Sequence, residues 1–185
     1  MLYRFSAWWA RCEVALAAFC AMLVTLLILV NVVTRAANSA IFWIDEAAIY
    51  TMIWMTFLAA SAAVHHKSSV SVSILVDLLP RNGLSIAHFL VDLVVLTFAV
   101  MNVWFCWIWF NPAGLWASGF DIEVFQGETF NFIYAEPTNT LGIGKAWVWM
   151  IMPIFALGFC LHAISNVAHS SSGLFFSRDA GNGLS

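Results

Sequence analysis

The stretch VALAAFCAMLVTLLILVNVVT, residues 14–34, decides the fold class, because its 21 consecutive residues include no charged side chain. At about 1.5 Å per residue, a helix of this length is roughly 30 Å long, which matches the hydrocarbon thickness of a bilayer. The run exceeds the roughly 7–15 apolar residues of a secretory signal. It therefore predicts a membrane-spanning helix that is retained as an anchor.

Three further apolar segments of spanning length follow, at about 47–64, 84–110 and 146–168. Pro112 ends the second of these, since proline disfavours helix in the residue before it. Together the four segments predict an all-α integral membrane protein, folded as a single membrane domain over 1–185.

Two segments of the chain are neither spans nor tight turns. Residues 68–80 are too few and too polar to cross a bilayer, and we expect a short amphipathic helix at the cytoplasmic interface. Residues 111–145 form a long loop, in which aromatic residues alternate with carboxylates. That pattern predicts a folded cap that touches the membrane surface or a partner.

The composition excludes several classes of function. Apolar residues make up 63% of the chain and charged residues 9%, against about 25% charged residues in soluble domains. Seven Lys and Arg against ten Asp and Glu leave no basic face for nucleic acid. The four cysteines lie in or beside apolar runs without a Cys-x-x-Cys pair, which argues against a metal site. We expect a protein that is not an enzyme and carries no cofactor.

The basic residues predict the orientation, because cytoplasmic segments carry an excess of Lys and Arg. With the N-terminus inside, the only basic residues on the opposite side are Arg35 and Lys145, and the other five face the cytoplasm. We therefore expect both termini, including the tail at 169–185, in the cytoplasm.

Four residues around the first connection are the strongest site candidates: Arg35, Trp43, Asp45 and Glu46. Acidic groups at the start of a helix satisfy free N–H donors and complement the helix dipole. Arg35 is close enough in sequence to pair with them. We predict a structural role here, with contact to a partner protein as the alternative.

Ionisable residues in the third span suggest two other hypotheses. Asp92 is the acid expected to enter the membrane, with His88 one turn earlier on the same helical face. The pair could serve a small proton-coupled exporter. Alternatively, His88 and His162 could ligate haem in a membrane anchor of a redox complex.

Several features in order resemble the DctQ-like small membrane subunit of tripartite ATP-independent periplasmic (TRAP) transporters. Val32-Val33-Thr34-Arg35 resembles the end of the family's first span, and Trp43-Ile44-Asp45-Glu46-Ala47 resembles its entry to the second. Residues 69–80, SVSVSILVDLLP, resemble the stretch that follows, although Ser69 and Ser73 stand where the family has His and Asp.

The resemblance implies a non-catalytic subunit of a sodium-coupled, binding-protein-dependent transporter for organic acids in a bacterial inner membrane. It implies two protein partners, a large DctM-like transport subunit and a periplasmic substrate-binding protein. The small subunit would brace the large one, with residues 35–46 near the contact. We expect its ionisable groups at the two water boundaries and only packing surfaces between them.

Overall fold

A computed structural model describes the backbone at residues 1–66 and 81–182, and the side chains at 1–66 and 86–171. Seven helices form this part of the chain, and their bounds are α1 Leu2–Ala36, α2 Trp43–His65, α3 Arg81–Phe110, α4 Pro112–Ala117, α5 Ile122–Thr129, α6 Lys145–Trp149 and α7 Ile151–Asn182. The amphipathic helix predicted at 68–80 lies outside the described residues.

Four of the described helical segments are long and apolar enough to cross a membrane, which confirms the all-α integral membrane fold. They extend past the predicted spans, because hydropathy marks only the part that matches the hydrocarbon layer. Helix α1, with 35 residues, is roughly 52 Å long and exceeds the hydrocarbon thickness of about 30 Å. Its first turns therefore continue beyond the layer.

The long helices pack in pairs, α1 against α2 and α3 against α7, and α2 joins the pairs by packing on α7. Ala17, Leu58 and Ile151 form one buried cluster, where α1 and α2 meet the start of α7. A second cluster between α3 and α7 contains Ala99, Phe159 and Ala163. Small residues in both clusters let the backbones approach, as helix packing in a membrane requires.

The loop at 111–145 contains α4 and α5, and its return is tied to the end of α3. Asn111 opens it with a left-handed turn (φ 40°), and its side chain accepts a hydrogen bond of 3.0 Å from the Gly114 N–H. A Cβ at position 114 would lie 2.5 Å from the Asn111 amide nitrogen, so this turn requires glycine. Farther along, the Tyr134 hydroxyl donates to the Phe110 carbonyl oxygen at 2.7 Å. Burial raises the pKa of Tyr134, which keeps this hydroxyl protonated.

Candidate functional site

Polar side chains of the described bundle gather at the two ends of α2. At its start lies the loop anchor, which we define as Asn31, Arg35, Asp45, Glu46 and Tyr50 with residues 139–141. At its end lies the buried carboxylate centre, which we define as Ser6, Trp9, Glu13, Ser61, His65 and His162.

The first part of the loop anchor joins the end of α1 to the start of α2. Arg35 donates to Asp45 Oδ2, and the Asn31 amide donates to Asp45 Oδ1. Arg35 Nε also donates to Asn31 Oδ1 at 3.0 Å. The Arg35–Asp45 ion pair is half-exposed, so water screens much of its attraction. Its geometric effect is to hold the short connection between the two helices closed.

Glu46 forms the second part of the loop anchor and is itself buried. Its Oε1 accepts from the Tyr50 hydroxyl and the Asn139 N–H, both at 2.8 Å. Its Oε2 accepts from the Thr140 N–H at 2.6 Å, the Thr140 hydroxyl at 2.5 Å and the Leu141 N–H at 3.0 Å. Hydrogen bonds to an ionised carboxylate are stronger than neutral ones. One side chain thus fixes the loop onto α2 across more than 90 residues of sequence.

The buried carboxylate centre joins three helices around Glu13. Its Oε1 accepts from the Trp9 indole N–H at 2.8 Å and from the Ser61 hydroxyl at 2.7 Å. Its Oε2 lies 2.9 Å from His162 Nε2. Glu13 is 2% exposed and His162 is 0% exposed. Both oxygens of this side chain are therefore paired inside the protein, as buried polar groups require.

A row of hydrogen bonds continues from His162 toward the end of α2. His162 Nδ1 lies 2.8 Å from Ser6 Oγ, which lies 2.8 Å from His65 Nδ1. A hydroxyl both donates and accepts. Ser6 can therefore donate to one of the two imidazoles while it accepts from the other, and it links His162 to His65.

Gly158 makes the space for the buried carboxylate centre. A Cβ at this position would lie 2.5 Å from Glu13 Oε1, 2.7 Å from Trp9 Nε1 and 3.0 Å from Ser61 Oγ. Gly158 also stands one turn before His162 on α7. Gly158 leaves a gap on the face of α7 that also carries the His162 imidazole. The Glu13 carboxylate fills this gap.

Sequence reasoning missed this centre. Glu13 directly precedes the apolar run at 14–34 and was not selected as a site residue. The structure encloses it with His162 inside the bundle. The sequence pattern that could have indicated this centre is the one-turn spacing of Trp9 with Glu13 and of Gly158 with His162.

The other predicted candidates lie apart from these two groups. Trp43 is exposed at the start of α2. Asp92 is buried and accepts a hydrogen bond from the Ser170 hydroxyl, which ties α3 to α7. His88 is exposed on α3. Both ring nitrogens of His162 are engaged with Glu13 and Ser6, so the structure does not support His88 and His162 as a pair of haem ligands.

The described residues hold no group of three or more His, Cys, Asp or Glu side chains that could bind a metal ion. The two polar groups hold helices and a loop together through hydrogen bonds. Their donors and acceptors face one another, and a mostly apolar cavity of about 350 Å³ next to the loop anchor is lined in part by Tyr50 and Leu141.

Known proteins resemble this chain over much of its length. Residues 24–173 match the family model of the DctQ component of tripartite ATP-independent periplasmic transporters. A TRAP transporter small permease protein of Haemophilus influenzae is 36% identical over 90 residues, which are 48% of this chain and 56% of that protein. The isethionate TRAP transporter permease protein DctMQ of Oleidesulfovibrio alaskensis is 32% identical over 75 residues, which are 40% of this chain and 12% of that protein.

The alignments thus span less than two thirds of the length of either relative. No solved structure matches the chain. The family model, however, covers most of the sequence, from the middle of α1 into the described part of α7. This protein belongs to the DctQ family, the DctQ component of tripartite ATP-independent periplasmic transporters.

Proposed function

We propose that this chain braces the large subunit of a sodium-coupled transporter that takes up an organic acid delivered by a periplasmic binding protein. Membership of the DctQ family makes the chain a transporter subunit and not an enzyme. The finer role is inferred from how the bundle uses its polar groups.

The main support for the proposal is that the carboxylates of the loop anchor and of the buried carboxylate centre already accept hydrogen bonds from inside the bundle at both oxygens. Glu46 accepts five hydrogen bonds from α2 and the loop, and both oxygens of Glu13 are paired. Side chains that hold each other in this way stiffen the bundle, and they have little capacity left for a substrate or an ion. We therefore place the sodium and substrate sites in the large subunit.

The outer surface offers the area that a brace needs. Long apolar side chains of α1 are exposed along its length, among them Phe19, Met22, Leu29 and Val33. Such a surface suits either lipid or the apolar surface of another membrane protein. The name of the DctMQ relative joins a DctM part and a DctQ part in one permease, which supports a DctM-like partner for this chain.

The basic residues support an inner-membrane orientation with both termini in the cytoplasm and the loop anchor on the periplasmic side. A single cysteine placed near either terminus should resist a membrane-impermeant thiol reagent in intact spheroplasts. Labelling there without lysis would contradict this orientation.

Association with the large subunit tests the bracing role. Trp43→Ala should reduce co-purification with that subunit in mild detergent, because the exposed part of the Trp43 ring would be lost from the proposed contact. Arg35→Ala and Glu46→Ala should reduce it as well, by loosening the loop anchor. The matched control is Lys145→Ala, which removes an ion pair with Glu136 on the same side of the bundle.

The bracing proposal fails if the chain and the large subunit do not co-purify at all. Wild-type recovery and uptake for Trp43→Ala, Arg35→Ala and Glu46→Ala together would remove residues 35–46 from the proposed contact.

A further inference from the structure

Four large aromatic side chains are exposed on the segment that connects α3 to α6, and Phe132 is the least exposed of them at 49%. Trp116, Phe120 and Phe130 are 74%, 61% and 80% exposed, and we call them the aromatic set. The rings of Trp116 and Phe120 form a T-shaped pair with centroids 5.6 Å apart. Phe125, between Phe120 and Phe130 in sequence, is fully buried and packs on Tyr134. The segment therefore has its own small core and still leaves the aromatic set outside it.

The backbone adopts an unfavourable conformation at two of these three residues. Phe120 has φ 64° and Phe130 has φ 54°, in the left-handed region that residues with a Cβ disfavour. Each is held by a hydrogen bond at a helix end, from Phe120 N–H to the Leu115 carbonyl and from Phe130 N–H to the Gln126 carbonyl, both at 3.0 Å. Glycine is the usual residue at such positions. Phenylalanine in this backbone conformation costs free energy. Burial of its ring against a molecule outside the chain would offset that cost.

Two hydrogen bonds tie this segment to the last turn of α3. The Asn131 amide donates to the Trp109 carbonyl oxygen at 2.6 Å, and Tyr134 donates to the next carbonyl, that of Phe110. Helix α4 begins two residues after α3 ends. Trp107 and Trp109 are exposed in the last turn of α3, where indoles mark the boundary between membrane and water. The aromatic set is thus held next to the lipid-facing end of a spanning helix.

We propose that residues 112–134 lie in the headgroup layer next to the end of α3, with the aromatic set inserted among the acyl chains. In the proposed orientation this is the periplasmic leaflet. The occupant of the exposed surface is lipid because the surface continues that of the last turn of α3. Phenylalanine and tryptophan are the residues by which such interfacial segments bury apolar area.

The charge of the segment specifies the kind of lipid. Residues 112–134 contain no Lys or Arg, and Asp121, Glu123 and Glu128 are acidic. Attraction to anionic headgroups therefore contributes nothing, in contrast to basic interfacial helices. The segment fits a zwitterionic surface, and added anionic lipid should weaken its insertion.

Spin-label depth measurements on the full chain in phosphatidylcholine nanodiscs test the proposal. The four native cysteines are free and can be replaced, and Phe120→Cys or Phe130→Cys then carries the nitroxide. We expect both labels about 5–10 Å below the phosphates, with oxygen favoured over an aqueous nickel chelate as relaxing agent. Glu123→Cys, an exposed acidic position on α5, is the matched control and should favour the nickel chelate.

A second measurement avoids the cysteine replacements, which include the buried Cys106. Brominated phosphatidylcholine should quench part of the tryptophan fluorescence of the native chain, and Trp116→Phe should remove a quenched component. Anionic phosphatidylglycerol should reduce that component.

Two results would overturn the proposal. One is nickel accessibility at positions 120 and 130 equal to that at 123, together with no quenched component from Trp116. The other is protection that arises only after the large subunit or the binding protein is added, since the surface would then be a protein interface.

Discussion

Two carboxylates, Glu13 and Glu46, organise the described bundle, and each is surrounded by donors that come from distant parts of the chain. Glu46 could be selected from the sequence, because an acid at the start of a helix has a local role that the pattern reveals. Its actual partners at 139–141 could not, since they depend on how the loop returns. Glu13 could not be selected, because its environment comes from His162, 149 residues away.

Replacing Glu46 should release the loop without unfolding the bundle. In Glu46→Gln, a side-chain NH₂ group replaces one carboxylate oxygen. A donor would then face backbone N–H groups that point at an acceptor in the native chain. Protection of the Thr140 and Leu141 amides from hydrogen exchange should fall by about tenfold or more. Glu136→Gln is the matched control, because its carboxylate makes an exposed ion pair with Lys145. Equal protection in both variants would show that Glu46 does not hold the loop.

Replacing Glu13 should have a much larger effect on stability. Glu13→Ala leaves the buried His162 and Ser61 and the partly buried Trp9 without their acceptor, and each buried polar group left unsatisfied costs about 1–3 kcal/mol. Detergent-based unfolding of the purified protein measures the change. Glu128→Ala, an exposed acid on α5, should stay within about 0.5 kcal/mol of the native chain. A loss of stability for Glu13→Ala no larger than that for Glu128→Ala would contradict the buried hydrogen bonds of Glu13.

At the scale of elements, the spans follow from local hydropathy and were predicted from it. The start of α1 and the end of α7 were not, because these helices continue past the hydrocarbon layer, where hydropathy carries no signal. The folding of the loop at 111–145 also escaped prediction. It depends on left-handed turns at Asn111, Phe120 and Phe130, and two of these residues are phenylalanines, which are not typical turn formers.

The approach of α7 to α1 depends on Gly158. Gly158→Ala should shift the Glu13 carboxylate and lower the free energy of unfolding by about 1–3 kcal/mol through overpacking. The control is Gly127→Ala on α5, where an added Cβ meets nothing within 4 Å. That variant should be neutral, or more stable by up to about 1 kcal/mol from helix propensity. A Gly158→Ala protein as stable as the Gly127→Ala protein would mean that the helices do not meet closely there.

At the scale of the whole molecule, the bundle is stiffened at both ends of α2, by the loop anchor at its start and the buried carboxylate centre at its end. Apolar side chains cover the outside, and the polar groups inside serve one another. A transporter subunit built in this way is suited to the proposed role of a rigid support for a partner subunit that moves. Fold class and family could be recognised from the sequence, because both depend on ordered local features. The internal ties could not, because they depend on tertiary contacts.

Uptake into reconstituted vesicles tests this account most directly. Vesicles that contain this chain alone, the large subunit alone, or both would receive the loaded binding protein and an inward sodium gradient. The account predicts no uptake with this chain alone and sodium-dependent uptake when both subunits are present. Sustained solute flux through vesicles that contain only this chain would contradict it.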